Sequence, residues 1–297
     1  MAEATKRYAV VTGANKGIGF AICKKLASNG ITVVLTARDE KRGLEAVDKL
    51  KQLALPGHVV FHQLDVTDPA SIESLADFIR NQYGKLHILV NNAGIPGSHW
   101  DGEALAAALA VDNNLGQADW SKIVTETYEL TELGLKTNYY GNKEVTKALV
   151  PLLQSSGSPK IVMVSSSAGR LENIPNGWPK EVLSDVENLT EEKIDELVDE
   201  FLKDSKEGSL ETKGWPLAMP TYMVSKAALN AYTRILAKKY PSFCINAVCP
   251  GYVKTDINLN TGFLTPDEGA ESVLRLALLP DGSPSGHFFF RSEEKPF

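Results

Sequence analysis

Short, continuous apolar runs alternate with helical patterns from one end of this chain to the other. The runs are RYAVVT (7–12), ITVVLTAR (31–38), HVVFHQLDV (58–66), LHILVNNAG (86–94), KIVMVSSSAG (160–169), FCINAVCPG (243–251) and GHFFF (286–290). Between the first four stand GIGFAICKKLASNG, DEKRGLEAVDKLKQLAL and PASIESLADFIRNQYG, with Gly30 and Gly84 as stops and Asp68-Pro69 as a start. Unbroken Val/Ile/Leu strands suit a sheet buried on both faces, and parallel strands need crossovers that are usually helical. The pattern predicts an α/β fold: a doubly wound parallel sheet (Rossmann fold), forming a single domain over 1–297.

Two segments break the rhythm. Residues 95–120 read as an irregular loop with a short Ala/Leu helix, and 170–219 as a longer helical insertion. Within the second, LTEEKIDELVDEFLKDSKEG is a helix with Thr190 as N-cap and Gly208 as stop. Ile194, Leu197, Val198, Phe201 and Leu202 share one face, so this helix must lie on the main domain.

Composition narrows the function classes. At 297 residues, 43% hydrophobic and 23% charged, the chain can bury a substantial core. A net charge of -6 with no Lys/Arg run argues against nucleic acid as a partner. No stretch approaches 18 continuous apolar residues and no leader pattern opens the chain, so the expected site of action is cytoplasmic, with no membrane partner. Cys23, Cys244 and Cys249 match no metal or redox spacing and read as small core residues; no metal is expected.

The first strand runs into TGANKGIG (12–19) and then a helix. Gly13, Asn15, Lys16, Gly17, Ile18 and Gly19 thus form a turn whose backbone can approach phosphates, at a helix N-terminus that attracts anions. At the end of the second strand, a carboxylate would grip the ribose of NAD and an arginine the 2′-phosphate of NADP. Asp39 sits where a simple count would choose NAD. Arg38 is the preferred reader here, with Lys16 as a second cation. Ligands of open α/β sheets lie beyond the carboxyl ends of strands. Asp65 and Val66 are placed there for the adenine, and Asn91, Asn92, Ala93 and Gly94 for the cleft floor.

Further on, TYMVSK (221–226) sets Tyr222 and Lys226 one helical turn apart, on a shared face. A phenol near pH 10 is lowered by an adjacent positive charge, so the pair can act as a proton donor near neutrality. The bland alternative is a helix surface that happens to carry both.

The ordered motifs TGANKGIG, NNAG, VSSS, YMVSK and PGYVKT resemble those of the short-chain dehydrogenase/reductase family, over essentially the whole chain. VFHQLDVTDP, GKLHILVNNAG and LTEEKIDE are similar to the plant subgroup of salutaridine reductase, the menthone/neomenthol reductases and isopiperitenone reductase. The resemblance implies NADPH, a hydrophobic terpenoid or alkaloid ketone or aldehyde, a cytosolic setting, and a monomer whose insertion covers the helix face on which other members dimerise. It casts Tyr222 as proton donor, with Lys226 lowering its pKa and holding the nicotinamide ribose. Ser166 becomes the hydroxyl that polarises the substrate carbonyl, with Ser165 or Ser167 as register alternatives, and Asn138 holds a water behind Lys226. Pro250, Gly251, Val253 and Thr255 lie over the nicotinamide in this reading.

For the substrate wall the candidates are Trp100, Trp178, Trp215, Met219 and Met223, with Leu171 beside them; each is equally readable as core or lid. His58 and His62 read as structural, His99 as surface. The implied reaction is reduction of a carbonyl to an alcohol. One alternative is reduction of an enone C=C bond, for which the resembling isopiperitenone-type members carry Glu at the Tyr222 position. The other is a non-catalytic NADPH-binding protein.

Overall fold

The structure, a computed structural model, describes residues 6–111 and 118–297. In chain order the strands are β1 (Tyr8–Val11), β2 (Thr32–Ala37), β3 (Val59–Gln63), β4 (Ile88–Asn91), β5 (His99–Trp100), β6 (Val124–Thr125), β7 (Lys160–Val164), β8 (Cys244–Cys249), β9 (Phe288–Phe290) and β10 (Glu293–Lys295). The α-helices are α1 (Gly17–Ser28), α2 (Glu40–Lys51), α3 (Pro69–Tyr83), α4 (Gly102–Val111), α5 (Trp120–Ile123), α6 (Tyr128–Leu135), α7 (Asn142–Gln154), α8 (Trp178–Ser184), α9 (Glu191–Glu207), α10 (Pro220–Lys239) and α11 (Pro266–Ala277). A π-helical turn, Lys136–Gly141, joins α6 to α7.

Eight strands form one sheet in the order β10-β9-β8-β7-β4-β1-β2-β3. All neighbours are parallel except β9 and β10, which are antiparallel. The chain builds β1, β2 and β3 outward in one direction and then crosses to place β4 on the other side of β1. This reversal opens a crevice at the carboxyl ends of β1 and β4, the switch point where such sheets bind ligands.

Each strand feeds two apolar layers, because successive side chains point to opposite faces. Val10 enters the layer that holds Tyr139, Leu149, Phe201 and Tyr232, while Ala9 and Val11 enter the layer that holds Ile22, Leu26 and Val273. Helix starts follow local chemistry. The Asp68 carboxylate accepts from Ala70 N with Pro69 next in line, and Gly84 closes α3 at φ 68.

The insertion helix α9 is capped as its sequence requires: Thr190 accepts from Lys193 N, and Gly208 ends it in a left-handed turn at φ 69. Ile194, Leu197, Val198 and Phe201 are buried, and Leu202 packs against the same core. Polar contacts fix the helix further. Lys143 Nζ lies 2.5 Å from the Asp195 carboxylate, Tyr139 Oη donates to Asp195 at 2.8 Å, and Tyr140 Oη donates to Asp199 at 2.9 Å.

Three features add to the sequence reading. In the 95–120 segment, of which 112–117 lie outside the described residues, the expected Ala/Leu helix is α4; in addition β5 pairs with β6, and Leu105 and Ile123 form a small separate core with Trp100 and Trp120. Helix α8 precedes α9 in the insertion. Strand β10, EEK, carries no apolar pattern and forms only because β9 offers it an open edge.

Candidate active site

The crevice begins where β1 ends. Thr12 Oγ1 accepts from Asn92 N and Ala93 N, both at 2.9 Å, and Asn92 Nδ2 donates back to Thr12 O and Gly13 O at 2.8 and 3.1 Å. These bonds tie the glycine turn to the end of β4. Gly13 has φ +61, and a Cβ there would stand 2.9 Å from Ala93 Cα. A Cβ on Gly19 would stand 2.6 Å from Asn92 Nδ2. Both glycines are therefore required by close approach. Helix α1 starts behind Lys16 with no side-chain cap, which leaves its first-turn N–H groups for an anion.

Arg38 lines this crevice. Asp39 does not: its carboxylate caps α2, accepting from Arg42 N at 2.9 Å. Lys16 Nζ reaches across to Asp256 at 2.5 Å. Asp65 Oδ1 is held by Thr67 N and Thr67 Oγ1 at 2.9 and 2.7 Å, which leaves its second oxygen for a donor. An uncapped helix start, a glycine turn and a cation beside the β2 end fit the phosphates of a dinucleotide.

At the other end of the crevice, α10 presents Tyr222 and Lys226, with Lys226 Nζ 5.7 Å from the Tyr222 ring centroid. Lys226 Nζ donates to Val164 O at 2.9 Å. Ser166, just past β7, hydrogen-bonds the Tyr222 phenol. Ser165 is instead committed to Asn230 at 2.6 Å, and the Ser167 hydroxyl lies beside the Cys249 thiol at 3.8 Å. Asn138 sits fully buried in the π-turn. Its Nδ2 donates to Ile95 O at 2.8 Å and Ser225 Oγ at 3.0 Å, and its Oδ1 accepts from Ile95 N at 2.8 Å. A Cβ on Gly94 would meet Asn138 Oδ1 at 3.2 Å and Lys226 Nζ at 3.5 Å, so the two groups flank one glycine.

Burial dominates the titration of this pair. It pushes the Tyr222 phenol up to about 12, reinforced by Cys249 and partly offset by the Ser166 hydrogen bond. It pushes the Lys226 amine down to about 8, against a smaller opposing effect of Cys249. The sequence reading had Lys226 lowering the phenol. Among the protein's own groups, desolvation is the largest influence on the phenol.

One cleft of about 740 Å³ unites these parts. It is lined by Gly13, Asn15, Lys16, Gly17, Ile18 and Gly19, by Arg38, Asp65, Val66, Asn92, Ala93 and Gly94, and by Pro250, Gly251, Val253 and Thr255. Ser166, Tyr222, Lys226, Trp100 and Met219 line the same cleft. A sequence model described as short chain dehydrogenase matches residues 7–177.

The chain belongs to the short-chain dehydrogenase family.

Among its relatives in that family, (+)-neomenthol dehydrogenase of Arabidopsis thaliana is 58% identical over 300 residues, covering 100% of both chains. The structure of salutaridine reductase from Papaver somniferum matches with a TM-score of 0.90 at 52% identity, covering 97% of this chain and 100% of that one. Menthone neomenthol reductase from Mentha piperita matches with a TM-score of 0.87 at 51% identity, covering 98% and 100%.

Within this family framework, several predicted site residues lie elsewhere. Trp215 is 2% exposed and donates from Nε1 to Asp204 Oδ2 at 2.8 Å, so it is a core residue beneath α9. Trp178 packs edge-on against Trp215, with its remaining surface in solvent, and Met223 is buried on α10; neither lines the cleft. Asn91 is buried below the cleft floor, bonded to Thr146. Leu171 lines a separate groove beside Phe297. Among the lining residues that escaped the sequence reading are Trp120, Cys249 and Tyr252. For Trp120 a signal existed, since it pairs with Trp100 at 6.0 Å across the small hairpin module.

Proposed function

We propose that this protein is an NADPH-dependent carbonyl reductase that converts a bulky hydrophobic ketone or aldehyde of terpenoid or alkaloid type to an alcohol. The observation that carries this reading is the convergence of the Ser166 and Tyr222 hydroxyls, with Lys226 behind them, in the cleft that also holds the glycine turn. The names of the relatives, a neomenthol dehydrogenase, a salutaridine reductase and a menthone neomenthol reductase, support the substrate class. Arg38 at the β2 end, with Asp39 committed to α2, supports NADPH over NADH.

When bound in this cleft, a nicotinamide would supply the hydride that the carbonyl carbon accepts. The chain's residues answer the charge that then grows on the carbonyl oxygen. Ser166 and Tyr222 both donate to it, and two aimed donors in a dry site stabilise an oxyanion far better than water does. Tyr222 passes its proton to that oxygen as general acid. Lys226 supplies positive charge to the phenolate left behind, and its donors suit the ribose hydroxyls. In this reading Asn138, whose side chain is fixed by Ile95 and Ser225, holds a water that returns the proton. Trp100, Trp120 and Met219 give the substrate end an apolar wall.

The α9 insertion packs on α6 and α10, with its half-buried Asp195 paired to the buried Lys143 of α7, and this supports a monomer. Among the described residues no helix is long and apolar enough to cross a membrane, in keeping with a proposed cytoplasmic setting.

The test is NADPH oxidation with a panel of cyclic ketones and one cyclic enone, with product analysis. Alcohols are the expected products. A saturated ketone from the enone would favour C=C reduction. Tight NADPH binding without turnover on any compound would leave a binding protein.

A further inference from the structure

Helix α10 begins without a local cap. Met219 precedes it at φ 49 and offers no side-chain acceptor, and Pro220 has no N–H. The first donor of the helix is therefore Thr221 N. Its acceptor comes from 95 residues upstream: both Glu126 carboxylate oxygens lie 3.3 Å from Thr221 N, and Oε2 lies 2.5 Å from Thr221 Oγ1. The Thr131 hydroxyl of α6 completes the cluster, 3.0 Å from Thr221 Oγ1. Thr221 itself is fully buried. Its methyl is wedged between two glycines: a Cβ on Gly97 or Gly134 would stand 2.4 or 2.6 Å from it. The residue after this clamp is Tyr222.

We propose that Glu126 is a positioning residue for the reaction: its carboxylate anchors the first turn of α10 and so fixes where Tyr222 presents its hydroxyl. The inference rests on the role assigned above to Tyr222. Glu126 touches neither the cleft nor the proposed reactants, and acts only through Thr221.

The anchor is also sensitive to pH. Burial pushes the Glu126 carboxyl up to about 7, with the Thr221 bonds pulling it back, and no charged side chain contributes. Titratable groups on the surrounding elements are turned elsewhere. On α6, Tyr128 stacks under Lys206 Nζ of α9 at 5.2 Å, and Glu129 bonds Thr127. On α10, Tyr222 faces the cleft, and on β5, His99 is exposed. Ionised, Glu126 accepts from both Thr221 donors. Protonated, one oxygen becomes a donor and the grip loosens. The folded-state value lies above the unfolded 4.5, so this group stabilises the fold fully below about 4.5 and ceases to as pH rises through about 7. Stability therefore falls across the interval in which the clamp, and with it turnover, is strengthened.

The experiment measures kcat, KM and thermal midpoint between about pH 6 and 8 for wild type, Glu126→Gln and Glu126→Ala, one unit either side of the Glu126 value. The wild type should gain kcat and lose thermal midpoint as pH rises. Glu126→Gln should flatten both trends, with NADPH affinity unchanged. Glu126→Ala should lower kcat on the order of 10- to 100-fold, the scale of a small misplacement of a reacting group. Should that variant not fold, Thr221→Val, which removes the hydroxyl donor, should give the same direction. A wild-type pH limb that survives intact in Glu126→Gln, or variants that lose stability alone, overturns the inference. Tyr222→Phe separates the two claims. If that variant keeps its turnover, the proposed reaction falls and this inference with it. If it loses turnover while Glu126→Gln behaves as wild type, only this inference falls.

Discussion

Lys226 and Tyr222 share one face of α10, yet Lys226 Nζ gives its hydrogen bond to the Val164 carbonyl and stands 5.7 Å from the Tyr222 ring centroid. Lys226 is buried and Tyr222 half-buried at the cleft, and desolvation holds both toward their neutral forms. A neutral phenol is what a general acid must be before it acts. In the proposed mechanism, the nascent phenolate needs positive charge close by.

Tyr222→Phe keeps the ring and removes the proton. Turnover on a ketone should fall by about 10²–10⁴-fold, the usual contribution of a positioned acid. NADPH affinity should change little, because most of the proposed dinucleotide cradle lies at the β1, β2 and β4 ends and in the segment after β8, away from the phenol hydroxyl. Stopped-flow hydride transfer and fluorescence titration of NADPH separate the two. Undiminished hydride transfer would remove Tyr222 from the mechanism.

Lys226 makes a stability prediction of definite sign. Its value falls from 10.5 to about 8 on burial, so the unfolded chain holds its proton more tightly than the fold does. Its contribution to stability is full above about 10.5 and is lost as pH falls through about 8. Lys226→Met should remove that dependence. In urea unfolding without added dinucleotide, the variant should exceed wild type by about 1–3 kcal/mol below pH 8, a gap that narrows toward pH 10. An equal gap at both ends of the range would show that burial does not depress this amine.

Arg38 and Asp39 adjoin in sequence and part in space. Arg38 lines the cleft, while Asp39 accepts from Arg42 N. Arg38→Ala should weaken NADPH binding by about 10- to 100-fold and leave NADH nearly unchanged, as expected for loss of a charge-assisted bond to phosphate. Asp39→Ala should instead cost about 1 kcal/mol of stability, the usual cost of a lost N-cap, without changing cofactor preference. A switch in preference from the Asp39 variant would contradict this division.

What the sequence disclosed and what it withheld have a common physical reason. The parallel strands, the glycine turn and the α9 caps are local patterns: unbroken apolar runs, a Gly-rich turn between strand and helix, Thr190 and Gly208 at their termini. Each can be read within about ten residues. Strand β10 and the β5–β6 hairpin were not legible, because a two- or three-residue strand is defined by its partner. The substrate wall was only partly legible for the same reason: Trp100 and Met219 line the cleft, and Trp178, Trp215 and Met223 do not. Trp100, Trp178 and Trp215 look alike in sequence, and only the fold of the insertion separates cleft from core. Glu126 was missed because its partner Thr221 lies 95 residues away.

Trp120 tests the revised wall. It lines the cleft and meets Trp100 at 6.0 Å, whereas Trp178 lies outside. Trp120→Ala should raise KM for a bulky cyclic ketone by several-fold, about 1–2 kcal/mol of lost apolar contact, with a smaller effect on a small aldehyde. Trp178→Ala should leave both values near wild type. If the two variants ranked the other way in a substrate series, the wall would have to be drawn on the insertion side.

Trp215 and Asp204 give the complementary test of the core. Asp204 is 1% exposed and accepts from Trp215 Nε1 at 2.8 Å, and it also lies within reach of Ser209. It thereby ties the end of α9 to the turn that leads back to α10. Asp204→Ala strands the buried indole N–H, and an orphaned buried donor costs about 1–3 kcal/mol. Trp215→Phe removes that donor but leaves the carboxylate short of a partner, so it should destabilise by a similar amount. The double variant should then cost less than the sum, since each single change has already broken the one bond they share. Chemical denaturation of the four proteins measures this coupling. KM should be unaffected throughout, because neither residue lines the cleft. Additive losses, or a KM that follows them, would place Trp215 at the substrate after all.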